Sequence, residues 1–166
     1  MQTKNKVKII GYIFLFISFI SNLKADEFNI IANEIIVDKE KEIIRGIGSV
    51  QASDKEGKIV KADKIIYEKQ KEFLLAEGEV VIADIDGNIL KADKATYDKI
   101  NEIITTFENT KLVLKEGYKL ETKNIFYDVK EKILSSKDLS KFEDSDGNVV
   151  ETNMFQYQIN DNLFSS

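Results

Sequence analysis

The chain has no cysteine, no histidine and no proline. Without cysteine, no disulfide staples the fold. Without histidine or cysteine, the usual bases, nucleophiles and soft metal ligands are missing. Carboxylates are abundant, and a pair of them can hydrolyse a glycoside. Here Asp and Glu fall mostly in turns and on outward parities, as on a solvated face. No catalytic residue, cofactor or metal ligand is assigned, and an enzyme is not expected. The lack of proline points elsewhere. Proline removes donors from strand ladders, so long uninterrupted ladders do well without it.

Acidic residues are missing from the first 25 positions, which hold Lys4, Lys6, Lys8 and Lys24. All 29 acidic residues follow, so the rest carries a net charge of −9. That balance disfavours nucleic acid as a partner. Three early lysines, an apolar run from Ile9 to Ile20 and Ala25 before an acidic start read as a secretory signal peptide over residues 1–25. Leu23 is a poor fit where a small side chain is preferred. The rival is an uncleaved anchor, although spanning a bilayer takes about 20 apolar residues and this run is shorter.

Residues 26–166 read as one repeat domain. Gly57, Gly87, Gly117 and Gly147 fall thirty apart, as do Tyr67, Tyr97, Tyr127 and Tyr157. Val60, Leu90, Leu120 and Val150 keep one apolar site, and Phe73, Ile103, Ile133 and Leu163 another. The register steps back onto Ile30, Ala32, Val37 and Ile43, and the fifth copy is incomplete. A fixed period of this size marks units that stack to bury their apolar faces.

Each unit reads as two strands. Val60 and Ala62 share one parity, Ile65 and Tyr67 the other, which predicts a bulge or corner near Asp63-Lys64 and again near Asp93-Lys94. Gly48 and Gly78 suggest a second bend. Residues 68–72 read as a polar hairpin connection, and Asp86-Gly87 as a tight turn. The expected fold is all-β: tandem repeats of bent antiparallel strands stacked as an open trough with an apolar inside. A strand-plus-helix solenoid is the rival, since residues 68–77 and 128–141 are rich in helix formers.

Two local patterns have plainer readings. Asp84-x-Asp86-Gly87-Asn88 and its copy at 144–148 resemble the start of a calcium loop. The twelfth position, which needs a bidentate Glu, holds Ala95 or Phe155, so hairpin turns are expected. The tyrosines read as a cross-strand ladder with hydroxyls reaching water.

Ile59 to Glu68 (IVKADKIIYE), Ile89 to Asp98 (ILKADKATYD) and Leu74 to Val81 (LLAEGEVV) resemble the repeats of the OstA-like jellyroll family of lipopolysaccharide transport. That family includes LptA, the N-terminal domain of LptD, and LptC. The resemblance implies periplasmic binding of lipopolysaccharide and its transfer toward the outer membrane as one segment of a bridge. Acyl chains would lie along Val60, Ile65, Leu74, Val80, Ile82, Leu90, Leu112, Leu120 and Ile125. The lipid and other jellyroll components, or further copies of the chain, would be the partners. Docking by strand addition is expected at an N-terminal edge with Phe28, Ile30 and Ile35, and a C-terminal edge with Met154, Phe155, Leu163 and Phe164. The alternative is an inert β-solenoid scaffold with a dry core.

Overall fold

The computed structural model describes residues 28–161 and 163–166. The expected leader lies outside them. Among the described residues, fifteen strands form one antiparallel sheet. β1 (Asn29–Ile31) and β2 (Glu34–Asp38) are short, and β3 (Ile43–Ser53), β4 (Ile59–Glu68), β5 (Phe73–Ala83) and β6 (Ile89–Asp98) are long. Shorter strands follow in pairs: β7 (Ile103–Phe107) and β8 (Thr110–Val113), β9 (Lys119–Thr122) and β10 (Ile125–Asp128), β11 (Ile133–Ser136) and β12 (Ser140–Glu143). β13 (Val149–Thr152), β14 (Phe155–Gln158) and β15 (Leu163–Ser165) complete the series. Among the described residues the helical piece is a single 3-10 turn, Lys69–Lys71. The strand-plus-helix reading therefore fails. The helix formers at 68–77 make a turn and the start of β5, because alternating burial outweighs local propensity.

The long strands share one fold line. Ile47 faces Lys64 but Val50 faces Ala62, so Gly48 and Ser49 bulge against a single residue. The same shift falls between Lys61 and Lys64 on β4 and between Glu77 and Val80 on β5. Gly48, Ser49, Gly78 and Glu79 all have positive φ. A Cβ at Gly78 would collide with the Asp63 carboxylate, so glycine is required there on two counts. Gly48 and Gly78 do not mark a second bend. They lie on the line that also crosses Asp63 and Asp93, one strand over. Between the inward apolar residues on either side of the line, the bulged strand carries three residues (77–79) and its neighbour two (63–64). That is why Val60 and Ala62 switch parity to Ile65 and Tyr67, while Leu74, Ala76, Val80 and Ile82 do not.

Past β6 the strands break where they meet the line. The break between β7 and β8 falls at Glu108 and Asn109, both at positive φ. The side chains behind the line change there. Gly46, Val50, Ala62, Ala76 and Val80 give way to Thr106, Thr110, Thr122, Ser136 and Ser140. The Ile125 N–H donates to Thr106 Oγ1 at 2.9 Å, and Thr110 Oγ1 donates to the Lys123 carbonyl at 3.0 Å. That leaves Thr106 as donor across the 2.8 Å between the two hydroxyls. Ser140 Oγ donates to the Asp138 carbonyl at 2.8 Å and lies 2.9 Å from Thr122 Oγ1. Hydroxyls thus take over backbone groups that a continuous ladder would have paired.

The line divides the sheet into two facing leaves. The upper leaf holds β1, β8, β9, β12, β13 and the halves of β3–β6 next to the glycine turns. The lower leaf holds β2, β7, β10, β11, β14, β15 and the other halves. Ten strands run across the lower leaf, which makes the column about 45 Å long at the usual strand spacing. The buried apolar residues of both leaves point into the space between them. The fold line closes one side, and two rows of turns flank a mouth on the other.

Candidate functional site

All nine residues expected inside the trough are there, in two different settings. Val60, Ile65, Leu74 and Val80 are at most 3% exposed, and Ile82 is 9% exposed. All five belong to one core cluster with Val50, Ala52, Ala76 and Ile104, Ile82 at its margin. Leu120 and Ile125 are buried in a second cluster with Leu134 and Phe155. Leu90 and Leu112 are half-buried.

Open space lies in the C-terminal half. A cavity of about 290 Å³ is lined by Leu112, Leu114, Leu120, Leu134, Phe142 and Tyr157. A second, of about 120 Å³, lies against Ile82, Leu90, Ile104 and Tyr127. The two share Leu112, Leu114, Leu134 and Tyr157, so they form one apolar groove between the leaves. Of the nine expected residues, Ile82, Leu90, Leu112 and Leu120 line it. Leu114, Leu134 and Phe142 were not singled out from the sequence. The period carried the signal for two of them: Leu134 repeats Leu74 and Ile104, and Phe142 repeats Ile82 and Leu112.

The N-terminal mouth is shut. Phe28 comes from the upper leaf and sets its ring edge-on to Tyr67 at 5.3 Å and to Tyr97 at 6.3 Å. Lys58 Nζ sits 4.7 Å from the centre of the Tyr97 ring, and Asp54 lies 3.9 Å from the same Nζ. Tyr67 is 1% exposed and Tyr97 8%. The expected tyrosine ladder therefore exists, but its first two members are covered rather than open to water. Burial, then Glu56, Asp54, Glu102 and Glu72, pushes the Tyr97 phenol up to about 12. Burial, with Asp84 and Asp128, raises Tyr127. Burial, with Tyr118 and Glu116, raises Tyr157. The turns that flank the mouth carry both carboxylates and lysines.

The expected docking residues also divide. Phe28 is a clasp inside the mouth, 6% exposed. Ile30 is half-buried against the core. Ile35 is exposed on β2, beside Ile36 and Val37. Met154 is exposed at the fold line. Phe155 is buried, its strand β14 lying between β11 and β15. Leu163 and Phe164 are partly exposed on the edge strand β15, and Phe164 lies edge-on to Phe142 at 4.9 Å. The other C-terminal edge is β13, with Val149 and Val150 exposed.

The turns have their own chemistry. Asp84 Oδ1 accepts from the N–H groups of Asp86 and Asn88, and Oδ2 accepts from the Asn88 amide at 2.7 Å. Asp144 repeats the pattern. These carboxylates organise hairpin turns, as expected. Among the described residues, no three His, Cys, Asp or Glu side chains are grouped to hold a metal ion.

No family model matches the chain, and no curated protein sequence matches it. Its structure is similar to that of LptH from Pseudomonas aeruginosa, described as the LptA-homologous periplasmic component of the lipopolysaccharide transport device. The TM-score is 0.61 at 10% sequence identity, over 76% of this chain and 94% of that one. The expected fold is thus the observed one: this chain has the open β-jellyroll of LptH, built from its own thirty-residue repeats.

Proposed function

We propose that the chain binds lipopolysaccharide in the periplasm and passes it toward the outer membrane, with acyl chains in the C-terminal groove. One observation carries the reading. An apolar groove stays unfilled between two leaves whose other half is filled by the chain's own side chains. Burying acyl CH₂ groups there contributes about 0.8 kcal/mol each, so a lipid is held without any catalytic group. The LptH fold supports the choice of ligand. In this reading Val60, Ile65, Leu74 and Val80 are the wall that ends the groove, Ile82, Leu90, Leu112 and Leu120 are its binding stretch, and Ile125 is buried behind it.

The same reading gives the column ends a role. β2 at one end and β13 and β15 at the other are edge strands with exposed apolar residues. Such edges accept a further strand. Jellyroll partners, or more copies of this chain, would dock there and continue the groove.

Photocrosslinkers decide the lipid question. At Leu112 and Leu120 they should capture lipopolysaccharide. At exposed Lys69 they should not. Equal labelling at all three positions would remove the groove from the account. The filled N-terminal half favours a second reading, an inert scaffold, and labelling at none of the three would establish it.

A further inference from the structure

We infer that Tyr118 is the lid of the groove. An acyl chain enters sideways between Tyr118 and Tyr157, and Tyr118 then closes over it as Phe28 closes over Tyr67. The inference rests on the lipid reading above.

The repeat places four residue pairs across the mouth. The upper leaf supplies Phe28, Lys58, Asn88 and Tyr118, thirty apart. The lower leaf supplies Tyr67, Tyr97, Tyr127 and Tyr157. In the first pair an aromatic ring lies edge-on to the tyrosine at 5.3 Å. In the second a lysine ammonium sits 4.7 Å from the ring centre. Both pairs leave the tyrosine buried, and Lys58 of the second also borders the smaller cavity. In the third, Asn88 is turned into its own hairpin. Its amide donates to Asp84 at 2.7 Å, and its Oδ1 accepts from the Lys115 N–H at 3.0 Å. Tyr127 is left half-buried, facing the smaller cavity.

The fourth pair restores an aromatic to the position of Phe28, but without closure. Tyr118 is 49% exposed, and Tyr118 and Tyr157 both line the larger cavity. The mouth is covered over the packed N-terminal core and stands open over the larger cavity. A guest in the cavity supplies the apolar surface that Tyr118 lacks. A tyrosine can act as the lid because its ring covers the acyl chain while its hydroxyl stays at the wet, polar rim.

The chain has no tryptophan, so Tyr118→Trp in the full chain is a single optical reporter. Ile85→Trp, on an exposed turn of another repeat, is the control. Labelled lipopolysaccharide retained by the chain in gel filtration measures binding separately. On binding, the emission of Y118W should shift to the blue and its quenching by acrylamide should fall several-fold, with I85W unchanged. Tyr118→Ala should release the labelled lipid about tenfold faster, the scale of losing one aromatic cover. Tyr118→Phe should release it at the original rate. Binding with no shift in Y118W, or with unchanged release from Y118A, overturns the lid and leaves the groove standing. No retention of lipopolysaccharide by the unmodified chain overturns the groove, and the lid with it.

Discussion

Replacing Phe28 with alanine tests whether the N-terminal mouth is held shut by one side chain. Phe28 is 6% exposed and meets two tyrosine rings edge-on. Truncating a buried phenylalanine costs about 3–5 kcal/mol, and edge-on ring pairs account for about 0.5–1.5 kcal/mol each within that. Phe28 lies at the mouth rather than deep in the core, and its neighbours can relax toward the gap. The loss should therefore fall near the low end, about 3 kcal/mol. For a domain of this size 1 kcal/mol moves Tm by roughly 3 °C, so the midpoint should drop by about 10 °C. Thermal unfolding of F28A followed by circular dichroism measures this directly. Phe126→Ala is the comparison. That ring is 47% exposed, and its loss should stay within about 0.5 kcal/mol. If F28A and F126A melt within about 3 °C of each other, Phe28 is not a clasp.

Gly78→Ala should cost about 2–3 kcal/mol, from the positive φ and the clash with Asp63 together. Gly87→Ala has the φ penalty but open space around its Cβ, so about 1 kcal/mol is expected; equal losses in urea titrations would mean that the corner does not need glycine. Tyr97 ionises near 12 when folded and near 10 when unfolded. Between those values the unfolded chain holds fewer protons, so stability should fall as pH rises from about 10 to about 12. Tyr97→Phe should flatten that part of the curve, and an unchanged slope would show that the phenol is not the cause.

Much of the fold was written in the spacing. Thirty residues without insertion or deletion fixed which side chains share a site, and the parity switch at Asp63 located the corner. The parity of Val60 and Ile65 told which way they face, but not whether the space they face is full. That depends on how closely two leaves approach, and on one residue, Phe28, that reads in the sequence as part of an edge. The hydroxyls behind the fold line were legible in principle. Thr106 and Ser136 occupy the register of Ala76, so a buried site had turned polar. Their effect was not legible, because a threonine that breaks a ladder and one that decorates it look alike until its partners are known.

The fold line has a consequence for how such a chain can change in length. It crosses successive strands every fifteen residues, at Gly48, Asp63, Gly78 and Asp93. Inserting one residue would displace the line on one strand against its neighbours, and one arm of that strand would present its apolar face to water. Inserting thirty would do neither. It would add two strands and lengthen the column by about 9.6 Å, with the cross-section unchanged. Reach in this architecture is therefore counted in whole repeats, and a single in-frame duplication is a ready-made extension.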